Sequence, residues 1–267
     1  MPDFDPGYGR APYAALVGSF PGAETYPPAD FRIEWGPVFH RGRLDGSARV
    51  LVIGQDPASH EAVARRILIG VAGHRFQGFL TRLGIDTSYV MVNTYLYSVY
   101  GQQAGNAHAH DPAIAAYRDS WLDALTADNP VQAVVALGSL ADTAFRSWRA
   151  TPAGAGYSGA YRHILHPTYP DSAADPVAAT TALLTDWNAA LTELHPAITA
   201  PDTARPLVPY GTAFTPADLT AIPAADLPPG LPDWMRSEET WASRQGATAA
   251  DKRATVVVQV PADQRPF

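Results

Sequence analysis

Residues 49–60, RVLVIGQDPASH, decide how the rest of the chain is arranged. Arg49 leads into Val50, Leu51, Val52 and Ile53, an apolar, mostly β-branched run of the kind that forms a strand buried on both faces. The run stops at Gly54, which permits a sharp turn. Gln55, Asp56 and Pro57 then put backbone amides, a carboxylate and a rigid bend at the strand's carboxyl end. In open α/β sheets that end is where ligands bind.

Outward from this strand the same grammar repeats. Tyr89 to Leu96 (YVMVNTYL), Val131 to Leu137 (VQAVVAL) and Tyr161 to Leu165 are the next strand candidates. Between them lie helical stretches: Glu61 to Ile69, a break at Gly70 to Gly73, a short helix from Phe76 to Leu83, and Pro112 to Ala127 with Asp111 as N-cap. Ile114, Tyr117, Trp121 and Leu125 make the apolar stripe of the last of these. Gln102 to Pro112 reads as a polar loop, Leu140 to Trp148 as a helix, and Asp175 caps a closing helix from Pro176 to Leu194. Strand and helix alternate, which predicts a three-layer α/β/α domain around a central, mainly parallel four-stranded sheet. Upstream, a short helix is expected near Pro12 to Phe20, and EWGPVFHRGRL is expected to pack over the sheet edge.

Residues 1–197 form this domain. Beyond it, 198–267 is a Pro-rich, acidic extension whose one strand candidate is Ala254 to Val260, and Trp234, Met235 and Trp241 are expected to anchor it, because such side chains are rarely left in water.

Composition limits the functions available. With 46% hydrophobic and 17% charged residues the chain is that of a soluble globular protein, and with no cysteine it has no disulfide, thiolate metal site or iron–sulfur cluster. No apolar stretch has the roughly 20 residues that span a bilayer, and MPDFDPGYGR lacks the order of a signal peptide, so a cytoplasmic monomer with no membrane contact is expected. The net charge of −7 argues against an extensive nucleic-acid footprint but leaves room for a local one. Arg32, Arg41, Arg43, Arg49, Arg65, Arg66, Arg75 and Arg82 crowd the first third of the chain, with Arg65-Arg66 expected on a solvated helix face. His60 and His74 have no third ligand at metal spacing, so neither a metal nor a cofactor is expected.

Gly54-Gln55-Asp56-Pro57 with Ala58-Ser59-His60, then Asn93 ending an apolar strand, then Leu137-Gly138-Ser139, then His166-Pro167-Thr168, resemble in order and spacing the uracil-DNA glycosylase superfamily. The likeness runs from about Val50 to Leu194. It implies a fold of the three-layer type above and a DNA glycosylase that flips uracil out of single- or double-stranded DNA and initiates base excision repair. Breaking an N-glycosidic bond builds positive charge on the sugar and negative charge on the leaving base, so the site needs a carboxylate on one side and donors on the other. Asp56 and His166 are implied to carry those catalytic roles. Gln55, Ala58, Leu68 and Asn93 are implied to hold the uracil, Asn93 because an amide can pair with the O4 and N3–H edge. Ser59, His60, Ser139, Thr168 and Tyr169 are implied to hold the DNA.

The pattern also departs from the family. Ala58 stands where the branch with the same GQDP has a tyrosine against the 5-position of uracil, and Leu68 stands where an aromatic side chain stacks on the base. Tyr95, Tyr97 or Phe76 is expected to restore the missing wall, and Tyr169-Pro170 replaces the expected apolar wedge. Each residue has a plainer reading as well. An Asp before Pro is a common turn residue, and His195-Pro196 repeats the His-Pro pair where no site is expected. Two alternatives follow: a metal-independent nucleotide- or phosphoester-processing enzyme, and a non-catalytic DNA-binding relative.

Overall fold

Side chains along the strands point alternately to the two faces of the sheet, and that alternation sets the layers. A computed structural model describes residues 7–265; Met1 to Pro6, part of the segment read for a leader, and Pro266 and Phe267 lie outside it. The sheet has the order β1-β3-β2-β4-β5, with β1 spanning Arg41–Gly42, β2 Val50–Gly54, β3 Tyr89–Asn93, β4 Ala133–Leu137 and β5 Ala160–Ile164. The pairs β2–β3, β2–β4 and β4–β5 are parallel, as expected for four strands. The sheet is nevertheless five-stranded. The stretch expected to cover its edge pairs with it instead, Arg41 opposite Met91 and Gly42 opposite Val90, antiparallel.

Val50, Val52, Tyr89, Met91 and Val135 point to one face, where α3 (Val71–Arg82) and α8 (Pro176–Leu194) cover them. Leu51, Ile53, Val90, Val134 and Ala136 point to the other, under α1 (Tyr13–Gly18), α5 (Pro112–Asp128) and α6 (Ser139–Arg149). The caps of the two long helices are those expected: Asp111 Oδ1 accepts from the amides of Ala113 and Ile114 at 2.9 and 3.3 Å, and Asp175 Oδ1 from Val177 and Ala178 at 3.1 and 3.0 Å.

Several local expectations are corrected. The first helix after β2 is short, α2 (Ser59–Ala64), and ends where Arg65 takes φ 59°. α3 then begins at Val71 and runs through Gly73 and Gly78, residues that in isolation break a helix. Close backbone approach explains both glycines. A Cβ on Gly73 would stand 1.7 Å from the Leu68 carbonyl oxygen, and one on Gly78 would stand 2.0 Å from that of Asp218. The polar stretch after Tyr100 holds a helix, α4 (Gln102–Ala107), in place of a loop. A single turn, α7 (Pro152–Ala155), precedes β5. Arg65 and Arg66 do not form a solvated face: Arg65 donates to the carbonyls of Trp35 and Pro37, both at 2.6 Å, and Arg66 is buried over the Tyr8 ring.

The extension packs back onto this domain. Ile222, Leu227, Met235 and Trp241 close a cluster on Ala64 and Ile69 of the segment after β2, with Trp234 at its rim. Each such aliphatic or Met side chain removed from water contributes about 1.5–3 kcal/mol. Beyond α9 (Trp234–Ser237) the expected strand shrinks to a two-residue pairing of β6 (Ala242–Ser243) with β7 (Val257–Val258), because α10 (Ala249–Ala254) occupies the start of that stretch. The extension's acids also take up the early arginines. Arg41 and Arg43 pair with Asp226, Arg82 with Asp218 and Arg49 with Asp202. Most of the suspected basic face is thus internal wiring. Among the described residues no helix is long and apolar enough to cross a membrane.

Candidate active site

The turn after β2 reaches the carboxyl end of the sheet beside the ends of β3 and β5. Its backbone is held from β3's continuation: the Thr94 amide donates to the Gly54 carbonyl and the Tyr95 amide to the Gln55 carbonyl, each at 2.9 Å. On the far side Glu61, from the first turn of α2, accepts from the Ala58 amide at 2.9 Å. Asp56 is therefore presented by a turn clamped at both ends.

Gly138 brings the second strand end into place. At φ 85° it occupies backbone space that favours glycine, and a Cβ there would lie 2.8 Å from Gln55 Nε2 and 3.4 Å from the His166 Cβ. The absence of that carbon lets the β2 turn and the segment after β5 approach each other over the start of α6. The result is a cleft of about 480 Å³ whose lining includes Gln55, Asp56, Ala58, Ser59, His166, Thr168 and Tyr169. Seven expected site residues are brought together there.

The electrostatics of the two central groups are opposed. Asp56 is partly buried and accepts one hydrogen bond among the described residues, from the Val99 amide to Oδ2 at 3.1 Å. Loss of solvent pushes its carboxyl up to about 7; the Val99 amide works against this, Glu61 adds to it, and Arg32 and Arg244 oppose it. His166 moves the other way, down to about 4, because burial disfavours its cation. Its Nδ1 lies 3.3 Å from the Thr168 amide and 3.0 Å from the Thr168 hydroxyl. An amide can only donate, so Nδ1 accepts and the ring proton sits on Nε2. At neutral pH the cleft combines a carboxylate near its midpoint with a neutral imidazole carrying one N–H donor.

Other expected residues lie elsewhere. Asn93 ends β3 in register with Gly54, and its Oδ1 would touch a Cβ placed there at 2.3 Å. Among the described residues its buried Nδ2 has no hydrogen-bond partner, and the side chain lines a separate cavity of about 20 Å³ rather than the cleft. That space suits a water molecule, not a base. Leu68 is in the core, so it does not line the cleft as a base-stacking residue would. His60 is turned away: its Nε2 accepts from the Ala242 amide at 3.2 Å and its ring meets Trp241 edge-on. Ser139 is exposed at the first turn of α6, next to the cleft-lining Leu140. None of the three candidates for the missing wall reaches the cleft. Tyr95 donates to the Gly105 carbonyl at 2.5 Å, Tyr97 to that of Pro21 at 3.0 Å, and Phe76 packs on Phe79 and Trp187.

Reading the sequence missed Arg32, Trp35, Val99 and Arg244, all on the cleft wall. Arg32 appeared only as one of many early arginines. Val99 acts through its backbone, and Arg244 lies in a stretch without periodicity, so neither carried a signal. Among the described residues no group of three or more His, Asp or Glu side chains is placed to hold a metal ion.

A parallel sheet with a cleft at its carboxyl ends, lined by a carboxylate and an imidazole from separate strand ends, has the ligand-site architecture of α/β enzymes. Within that class the chain belongs to the uracil DNA glycosylase superfamily, whose family model matches residues 41–192. It therefore carries a DNA glycosylase-type repair domain. No curated protein matches the sequence.

Proposed function

We propose that this protein excises uracil from DNA by hydrolysing the N-glycosidic bond of a flipped nucleotide. The observation that carries the reading is the pairing across one cleft of Asp56 and His166, with their ionisation shifted in opposite directions. As the bond breaks, ionised Asp56 offsets the oxocarbenium charge and orients a water towards the sugar carbon. The Nε2–H of His166 donates to the base oxygen on which negative charge accumulates, and it does so without first losing a proton, because the ring is already neutral. Gln55 lies against the incoming base from the Gly138 side. Ser59, Thr168 and Tyr169 face the strand that carries it. Asn93 reads the base edge only once the wall beside Gly54 opens, and its unpartnered buried Nδ2 gives it the unused donor for that role.

The deciding assay is release of uracil from a single-stranded oligonucleotide in EDTA, followed by alkaline cleavage of the abasic site. Excision by the wild type, together with loss in Asp56→Asn and in His166→Ala, supports the reading. Binding without excision would leave a non-catalytic relative. Cleavage of a phosphoester without base release would leave the phosphoester-processing alternative.

A further inference from the structure

Arg244 belongs to the extension, outside the residues that match the family, yet it lines the same cleft as Asp56. Its position is not accidental drift of a tail. The Ala242 amide is held by His60 Nε2 at 3.2 Å, and the Gln259 amide donates to the Trp241 carbonyl at 2.8 Å. The Trp241 indole in turn donates to the Met235 carbonyl at 2.9 Å. Arg244 follows two residues after Ala242, so its Cα is within about 7 Å of that anchor. The anchor itself is on α2, the helix that leaves the Asp56-Pro57 turn.

What surrounds Arg244 is a second cation. Arg32 is 4% exposed and fixed in place: Nη1 donates to Ser98 Oγ at 3.0 Å and to the Val99 carbonyl, while the guanidinium lies 4.2 Å from the Tyr100 ring centroid and 5.0 Å from that of Trp35. Burial holds the Arg32 pKa down and the nearby Arg244 cation adds to it, and both cations act on Asp56. Three other arginines of the extension are ion-paired: Arg236 with Asp233, Arg253 with Glu34, Arg205 with Asp86. Arg244 is exposed and makes no ion pair or hydrogen bond among the described residues. Two like charges facing one cleft repel each other, and a bound anion reverses that cost.

The geometry points to Arg244, backed by Arg32, as a clamp from the C-terminal extension on a phosphodiester of the DNA strand whose nucleotide enters the cleft. This rests on the reading of the cleft as a DNA-processing site. A phosphodiester suits the position because the cation stands on the wall while the carboxylate occupies the turn at the sheet end, where an unscreened anion would be repelled. The hydroxyls of Ser59 and Thr168 line the same cleft and offer neutral contacts to the strand.

The test uses the full-length chain carrying Asp56→Asn, so that the probe survives, and a fluorescein-labelled 11-nucleotide single strand with one central deoxyuridine. Adding Arg244→Ala should raise Kd about 5-fold at low salt and reduce the slope of log Kd against log salt by about 0.7, the value for one phosphate contact on a single strand. Arg244→Lys should restore most of both. Replacing the linkages beside the deoxyuridine one at a time with neutral methylphosphonates should find one that weakens the Arg244 protein and leaves the Arg244→Ala protein unaffected. Arg146→Ala, a surface change on α6, serves as the control and should keep the full slope. An unchanged slope, or a methylphosphonate penalty equal in both proteins, overturns the clamp even if affinity falls. Should the wild type fail to excise uracil while the slope and methylphosphonate results hold, the glycosylase reading fails and the clamp stands.

Discussion

Asp226 and Asp56 are both carboxylates removed from bulk water, and they are treated in opposite ways. Asp226 is fully buried in the seam between extension and sheet, with Arg41 Nη1 at 3.5 Å, a hydrogen bond from Arg43 and another from the Tyr89 hydroxyl. Asp56 sits at a strand end with, among the described residues, a single amide donor, and two cations act on it through space. A carboxylate saturated by fixed partners has no capacity left for a ligand, whereas one left short of partners is destabilising until something else supplies them. The first arrangement serves folding. The second serves a site.

The comparison breaks most visibly through Asp226→Ala, which leaves Arg41 buried beside Arg43 without their shared carboxylate. Losing one partner of a buried pair costs about 3–5 kcal/mol, so urea denaturation should show a strongly destabilised or unfolded protein. A loss under about 1 kcal/mol would mean that the seam does not depend on this charge.

Asp56→Asn should do the reverse. Single-turnover excision should fall by at least about 10²-fold, the scale of a lost electrostatic contribution, while Tm rises by roughly 2–4 °C, the shift expected for about 1 kcal/mol. The sign follows from linkage. Folding raises the Asp56 pKa above its ordinary 3.8 to about 7, so the folded state favours the protonated form. Its stabilising effect is present below about pH 4 and is lost as pH rises towards 7, with no further change above. The Tm advantage of Asp56→Asn should therefore grow between pH 4 and 7 and then level off. A pH-independent difference would place the ionisation elsewhere.

The same ionisation predicts a rate profile. If the carboxylate form is the active one, single-turnover rate should rise about tenfold per pH unit up to about 7 and flatten above it. His166, held down to about 4, contributes no alkaline limb in this range. A rate independent of pH between 5 and 8 would show that Asp56 acts without changing charge.

The smallest effect is expected at Ala58, which is exposed on the cleft wall and has none of Tyr95, Tyr97 or Phe76 standing in for a missing ring. Ala58→Tyr should lower excision of 5-substituted uracils relative to uracil by about 10-fold, near the lower bound for discrimination of one small substituent. Equal relative rates in both proteins would show that Ala58 does not face that position of the base.

By itself the sequence determined what depends on neighbours close along the chain. The apolar runs of β2 to β4, the N-caps Asp111 and Asp175 and the turn after β2 all follow from periodicity and turn chemistry that act within a few residues. Their alternation is enough to imply the layers, because a parallel sheet requires crossovers. Tertiary structure decided everything that depends on partners far along the chain. Gly78 sits inside α3 because the distant Asp218 backbone presses on it, and β1 joins the sheet through two residues with no strand signal. The early arginines are bound by acids 136 to 185 positions later, and His60 is turned towards Trp241 instead of the cleft. The ionisation of Asp56 and the arrival of Arg244 at its cleft belong to the same group. Desolvation and through-space charge depend on distance and burial, and a linear pattern of residue types carries neither.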